Sequence, residues 1–129
     1  MAHSIRIEVN SMAEDGIQES LTKHRKRNAD LRQVLVGKGV SLTEQRPTDV
    51  HFWVWSQRDA AVLARELFKK GFLVKLLSPS PTPDDEARWG IEAGALVVPD
   101  QILGDEFTEG MVRLAAQCDG VYDGWGTEA

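Results

Sequence analysis

A chain of 129 residues with 42% hydrophobic and 27% charged residues has the balance of one soluble globular core that needs no metal or disulfide staple. No apolar run approaches the roughly 20 residues that span a bilayer, and Met1 to Arg6 lacks the layout of a secretory signal, so a cytoplasmic protein is expected. One cysteine, Cys118, and three scattered histidines exclude an internal disulfide and a structural zinc cluster, and point to a chain without metal or cofactor.

Charge divides the chain before any element is assigned. Residues 1–38 hold 7 Lys/Arg against 5 Asp/Glu, and residues 39–129 hold 8 against 15. The acidic remainder repels phosphate backbones and suits a basic protein partner, which disfavours direct nucleic-acid binding. The exception is Lys23-His24-Arg25-Lys26-Arg27, read as a solvated helix face or a contact for a phosphate or an acidic partner.

In chain order, Ser4 to Val9 alternates polar and apolar residues and predicts a short strand or extended arm. Ser11-Met12-Ala13-Glu14 has the form of a capping box, and Ile17, Leu21, His24, Asn28, Leu31 and Leu35 follow at helical spacing. His24 and Asn28 interrupt that stripe, so the helix is expected to pack loosely or against a partner. Residues 1–38 are thus an arm and amphipathic helix, and residues 39–129 a second unit.

Val50 to Trp55 predicts a strand, and Ser56 caps a helix whose apolar side is Ala60, Leu63, Ala64, Leu67 and Phe68, closed by Gly71. Phe72 to Leu77 predicts the second strand. Prolines at 79, 81 and 83 predict a stiff loop, and Trp89 to Val98 the third strand. Leu103, Phe107, Met111, Leu114, Ala115 and Cys118 form a last helical stripe before a strand over 121–125. This βαββαβ order predicts an α+β ferredoxin-like sandwich, a four-stranded antiparallel sheet with an additional N-terminal helix.

In that topology the first strand is central, with Phe52 and Val54 on one face and Trp53 and Trp55 on the other. Both faces then need cover, expected from the N-terminal helix, a second copy of the chain in a homodimer, or another protein.

Chemistry-bearing groups are sparse. Cys118 sits on an apolar stripe, His51 with Asp49 reads as a half-buried histidine rather than an acid–base pair, and the acidic runs Asp84-Asp85-Glu86 and Asp105-Glu106 read as solvation. No phosphate-cradling glycine loop opens a helix, and no catalytic residue is assigned. Trp53 and Trp55 on a sheet face leave an RNA-binding module as the alternative, although the third strand carries Glu92 where a basic residue would serve.

The most specific string is Tyr122-Asp123-Gly124-Trp125-Gly126. It resembles the signature that closes the RraB family, protein regulators of ribonuclease E. The likeness extends over Leu31 to Thr127, through Arg46-Pro47, His51-Phe52 and Lys70-Gly71-Phe72. It implies a ferredoxin-like fold and a non-enzymatic regulator that binds and inhibits or modulates an RNase E-type endoribonuclease and so affects RNA decay. The basic run at 23–27 departs from the acidic N-terminal region of known members. Strand alternation puts Asp123 and Trp125 on one side, where an acid and an aromatic suit an arginine of a partner. The other account has Asp123 capping a turn and Trp125 sealing the core against Arg46 or His51. The candidate partner-binding set is therefore Tyr122, Asp123, Gly124, Trp125, Gly126, Arg46 and His51.

Overall fold

A computed structural model describes residues 2–81 and 87–128, with side chains described for 14–79 and 88–128. The elements are α1 (Ala2–Gly37), β1 (Arg46–Val54), α2 (Gln57–Lys69), β2 (Leu73–Pro81), β3 (Ala87–Val97), α3 (Pro99–Ile102), α4 (Asp105–Gln117) and β4 (Val121–Thr127).

The expected strand over 4–9 and the helix start at Ser11 are both replaced by one helix beginning at Ala2. A lone extended arm would leave its backbone groups without a ladder, whereas a continuous helix pairs them internally. The helix after β1 forms as expected, with Ser56 as N-cap accepting from the Asp59 amide at 3.1 Å and Gly71 beyond its end at φ +92°.

The proline-rich segment is not a loop up to Pro81. β2 continues through Ser78, Pro79 and Ser80, paired with Gly90, Trp89 and Arg88 of β3. It can do so because β2 is an edge strand, where a missing N–H costs no ladder bond on the outer side. Asp84-Asp85-Glu86 lies outside the described residues. The short α3 was not anticipated; Pro99 opens it, and the four residues fall between two stronger patterns.

The sheet has four antiparallel strands in the order β2-β3-β1-β4, so β1 and β3 are central. Along β1 burial alternates: Thr48, Val50, Phe52 and Val54 are buried, while Asp49, His51 and Trp53 are half-buried. The buried set joins Ile91 and Ala93 of β3, Leu63 and Leu67 of α2, Met111 and Leu114 of α4, and Leu21 and Leu35 of α1 in one core cluster.

All three long helices therefore serve the same face of the sheet. The expectation that the N-terminal helix covers the opposite face does not hold, and of the two tryptophans expected to be largely covered only Trp53, half-buried beneath Arg88, is. β1 ends at Val54, leaving Trp55 outside the strand and 44% exposed. The central strand is less apolar on its second face than six residues suggested, because extending it back to Arg46 adds Asp49 and Pro47 there.

Candidate functional site

The helix α1 is held by the polar residues that interrupt its apolar stripe. His24 and Asn28 are 7% and 5% exposed, and neither packs loosely. His24 Nε2 donates to the Tyr122 carbonyl at 2.9 Å, and its ring lies 4.8 Å from that of Tyr122. Asn28 Nδ2 donates to Thr108 Oγ1 of α4 at 3.0 Å, while its Oδ1 accepts from Trp125 Nε1 at 2.9 Å. Arg27 Nη1 donates to the Asp123 carbonyl at 2.8 Å, and Arg25 pairs with Asp105 at the start of α4 at 3.4 Å. Three residues of the basic run thus stitch α1 to β4 and α4, leaving Lys23 and Lys26 exposed.

Strand β4 departs from plain alternation. Its register against β1 shifts between His51 and Phe52, so that Phe52 faces Tyr122, His51 faces Gly124, and Asp123 is the extra residue of a bulge. Tyr122 and Trp125 consequently fall on the same side, 3% and 7% exposed, with Tyr122 5.2 Å from the Phe52 ring. Burial pushes the Tyr122 phenol well above its usual range. Gly124 sits at φ +127°, a backbone conformation that favours glycine, and a Cβ there would come within 2.7 Å of Arg27 Nη1.

This corrects the expected pairing of Asp123 with Trp125 on one face. Trp125 seals the core, but against Asn28 rather than Arg46 or His51. Asp123 is exposed and lines, with His51, Trp53 and Glu92, a cleft on the open face of the sheet. Arg46 lies at the far end of β1, where its Nη2 donates to the Glu128 carbonyl, and Gly126 faces Asp49.

The open face has its own construction. Arg88 stacks over Trp53, its Cζ 3.6 Å from the ring centroid. Gly90 lies beside that indole, where a Cβ would approach Cζ3 to 3.0 Å, and Gly94 leaves room for the Lys75–Asp49 ion pair at 3.0 Å. Asp49 raises the Lys75 pKa above its ordinary value through that bond. His51 Nδ1 is 3.6 Å from Glu92 Oε1, so the histidine addresses Glu92 across the ladder and not Asp49. Around these groups Leu73, Leu76 and Leu96 are 61%, 54% and 63% exposed.

Sequence reasoning missed Arg88 and the three leucines as members of this surface. The signal was available in β3: Arg88, Gly90, Glu92, Gly94 and Leu96 occupy alternate positions, two of them too small to form a core face. Cys118 is buried, and burial pushes its thiol pKa upward, away from reactivity. Among the described residues no group of three or more His, Cys, Asp or Glu could hold a metal ion, and no helix is long and apolar enough to cross a membrane.

The family model for regulator of ribonuclease activity B, RraB, matches residues 25–127. The chain belongs to the RraB family. The matched span opens within the basic run of α1, at the residues that grip β4, and closes on the Tyr122-Asp123-Gly124-Trp125-Gly126 bulge they hold. Membership makes this RraB chain a regulator of ribonuclease activity, which implies a protein partner. No curated protein matches it. The signature string has a structural role in this RraB chain: Tyr122 and Trp125 anchor the strand, Gly124 permits the bulge, and Asp123 is turned outward.

Proposed function

We propose that this protein is a non-enzymatic, cytoplasmic regulator that binds an RNase E-type endoribonuclease through the open face of its sheet and so modulates RNA decay. The observation that carries the reading is that, among the described residues, no helix lies over one face of the four-stranded sheet, and that face presents three exposed leucines and a Trp53–Arg88 stack. Water is a poor neighbour for such a patch, and a protein surface is a good one. Family membership supplies the ribonuclease, and the net charge of −5 suits the basic surfaces by which nucleases hold RNA.

The βαββαβ order and the strand order β2-β3-β1-β4, with both intervening long helices on one side, support a ferredoxin-like arrangement for residues 39–129. Residues 1–38 are then the appended arm whose helix seals the β4 border. Tyr122, Gly124, Trp125 and Gly126 shape the partner site, while Asp123 and His51 meet the partner.

An RNA-binding role for the aromatic face is less favoured. Arg88 already occupies a face of Trp53, Trp55 lies off the strand, and Glu92 and Asp123 repel phosphate. The test mixes the purified chain with a purified RNase E-type endoribonuclease and a labelled RNA. Expected are a complex on a sizing column and slower cleavage, with the RNA left intact by the chain alone. Unchanged cleavage and no complex would overturn the reading.

A further inference from the structure

The open face is not uniformly charged, and the imbalance is local. Its cations are engaged within the chain: Lys75 bonds Asp49, and Arg88 lies on Trp53. Its carboxylates are not all so engaged. Glu92 has His51 at 3.6 Å, and among the described residues no lysine or arginine side chain lies within ion-pair distance of Glu92 or Asp123. Arg27 bonds the Asp123 carbonyl rather than its carboxylate. Glu92, His51 and Asp123 line a cleft of about 130 Å³ together with Trp53 and Leu76.

We propose that this cleft receives an arginine side chain of a protein partner, flanked in the partner by apolar residues that settle on Leu73, Leu76 and Leu96. The proposal rests on the reading of the open face as the partner surface and names what that surface recognises. Charge complementarity decides the occupant. Two carboxylates on either side of His51 lack a cation, and a guanidinium supplies several donors in a planar fork that serves both at once. Its hydrophobic stem lies along Leu76 and the indole edge, as arginine stems do at interface anchors. A lysine would bring one compact charge and could not span two acceptors equally well.

The β4 bulge borders the cleft at Asp123. Under plain alternation Asp123 would still face outward, but Trp125 would stand on the opposite side from Tyr122. With the bulge, both aromatics stay in the core while Asp123 lines the cleft with His51 and Glu92. Arg27, His24 and Asn28 are positioning residues, because they hold the bulged strand by its carbonyls and indole.

The experiment is an amide NMR titration of the full chain with the peptide acetyl-Leu-Arg-Leu-amide and with the same peptide carrying citrulline. Citrulline keeps the shape of arginine and removes its charge. The expected result is saturable shifts at the His51, Glu92 and Asp123 amides, with the citrulline peptide binding roughly tenfold more weakly. In an E92Q/D123N double variant that difference between peptides should vanish. Equal binding of the two peptides, shifts confined to other surfaces, or an oligouridine shifting these amides in place of the peptide would each overturn the proposal. If the double variant fails to fold, the comparison of the two peptides on the unaltered chain still decides.

The nuclease assay separates this proposal from the broader reading. Arginine-dependent shifts without a nuclease complex would remove the nuclease and keep the cleft. A nuclease complex equally tight with the double variant, with no arginine-dependent shifts, would remove the cleft and keep the nuclease.

Discussion

Gly124 is where local geometry and tertiary contact meet in one residue. Its φ of +127° is strained for any side chain, and a methyl group would also meet the Arg27 guanidinium at 2.7 Å. Gly124→Ala should therefore lose about 1–3 kcal/mol in urea melts, and adding Arg27→Ala should recover only the steric part. Full recovery would show that backbone strain contributes nothing. His24 provides a second test at this scale. Burial lowers its pKa below the ordinary value, opposed by the bond to the Tyr122 carbonyl and reinforced by Arg27 nearby. Unfolded His24 takes up a proton near pH 6.5 while the folded residue resists it. Its contribution is complete above that pH and is lost as pH falls toward the lower folded value. Urea melts at pH 7.5 and pH 5.5 should show the native chain losing stability, and His24→Gln losing less. An identical pH dependence in both would detach His24 from the effect. Histidine and asparagine in an apolar stripe could be seen in the sequence, but their partners are 98 and 80 residues away, so the stripe looked defective rather than bonded.

Helix α1 belongs to the fold's structural core through Leu21 and Leu35, and it shields Tyr122 and Trp125 along β4. Deleting residues 1–38 should strip that cover and leave the indole N–H and the Tyr122 carbonyl without their partners. The truncated chain is expected to associate in analytical ultracentrifugation and to melt well below the full chain. A monomeric truncated chain of equal stability would show that α1 is dispensable. The two edges of the sheet are managed differently. β4 is bordered by α1, whereas β2 carries prolines and a register shift between Val74 and Leu76, both of which discourage strand addition. The proline run read as a loop because proline opposes a central strand, and only the sheet order reveals an edge.

At the scale of the molecule, the two faces of one sheet have different fates, and substitutions should separate them. Leu73→Thr, Leu76→Thr and Leu96→Thr replace exposed side chains and should each change stability by no more than about 0.5 kcal/mol. Ile91→Ala, on the opposite face of β3 and 2% exposed, should cost about 2–5 kcal/mol. Comparable losses in both sets, measured in the same urea melts, would mean that the open face is covered in solution.

What the amino-acid sequence determined by itself is what depends on neighbours along the chain. The Ser56 cap, the stop at Gly71, the apolar stripes of α2 and α4, the succession of strands and helices along the chain and the Tyr122 to Gly126 signature all arise from spacing over a few residues. The tertiary structure alone decided which face α1 covers, where Tyr122 and Trp125 point, and which groups stand around His51. A single bulge residue reverses the side assignment of everything beyond it in a strand, and its presence is set by pairing with β1 and by bonds from α1. Periodicity carries no record of such an insertion, because the residue that breaks the alternation, Asp123, is ordinary in composition and exceptional only in register.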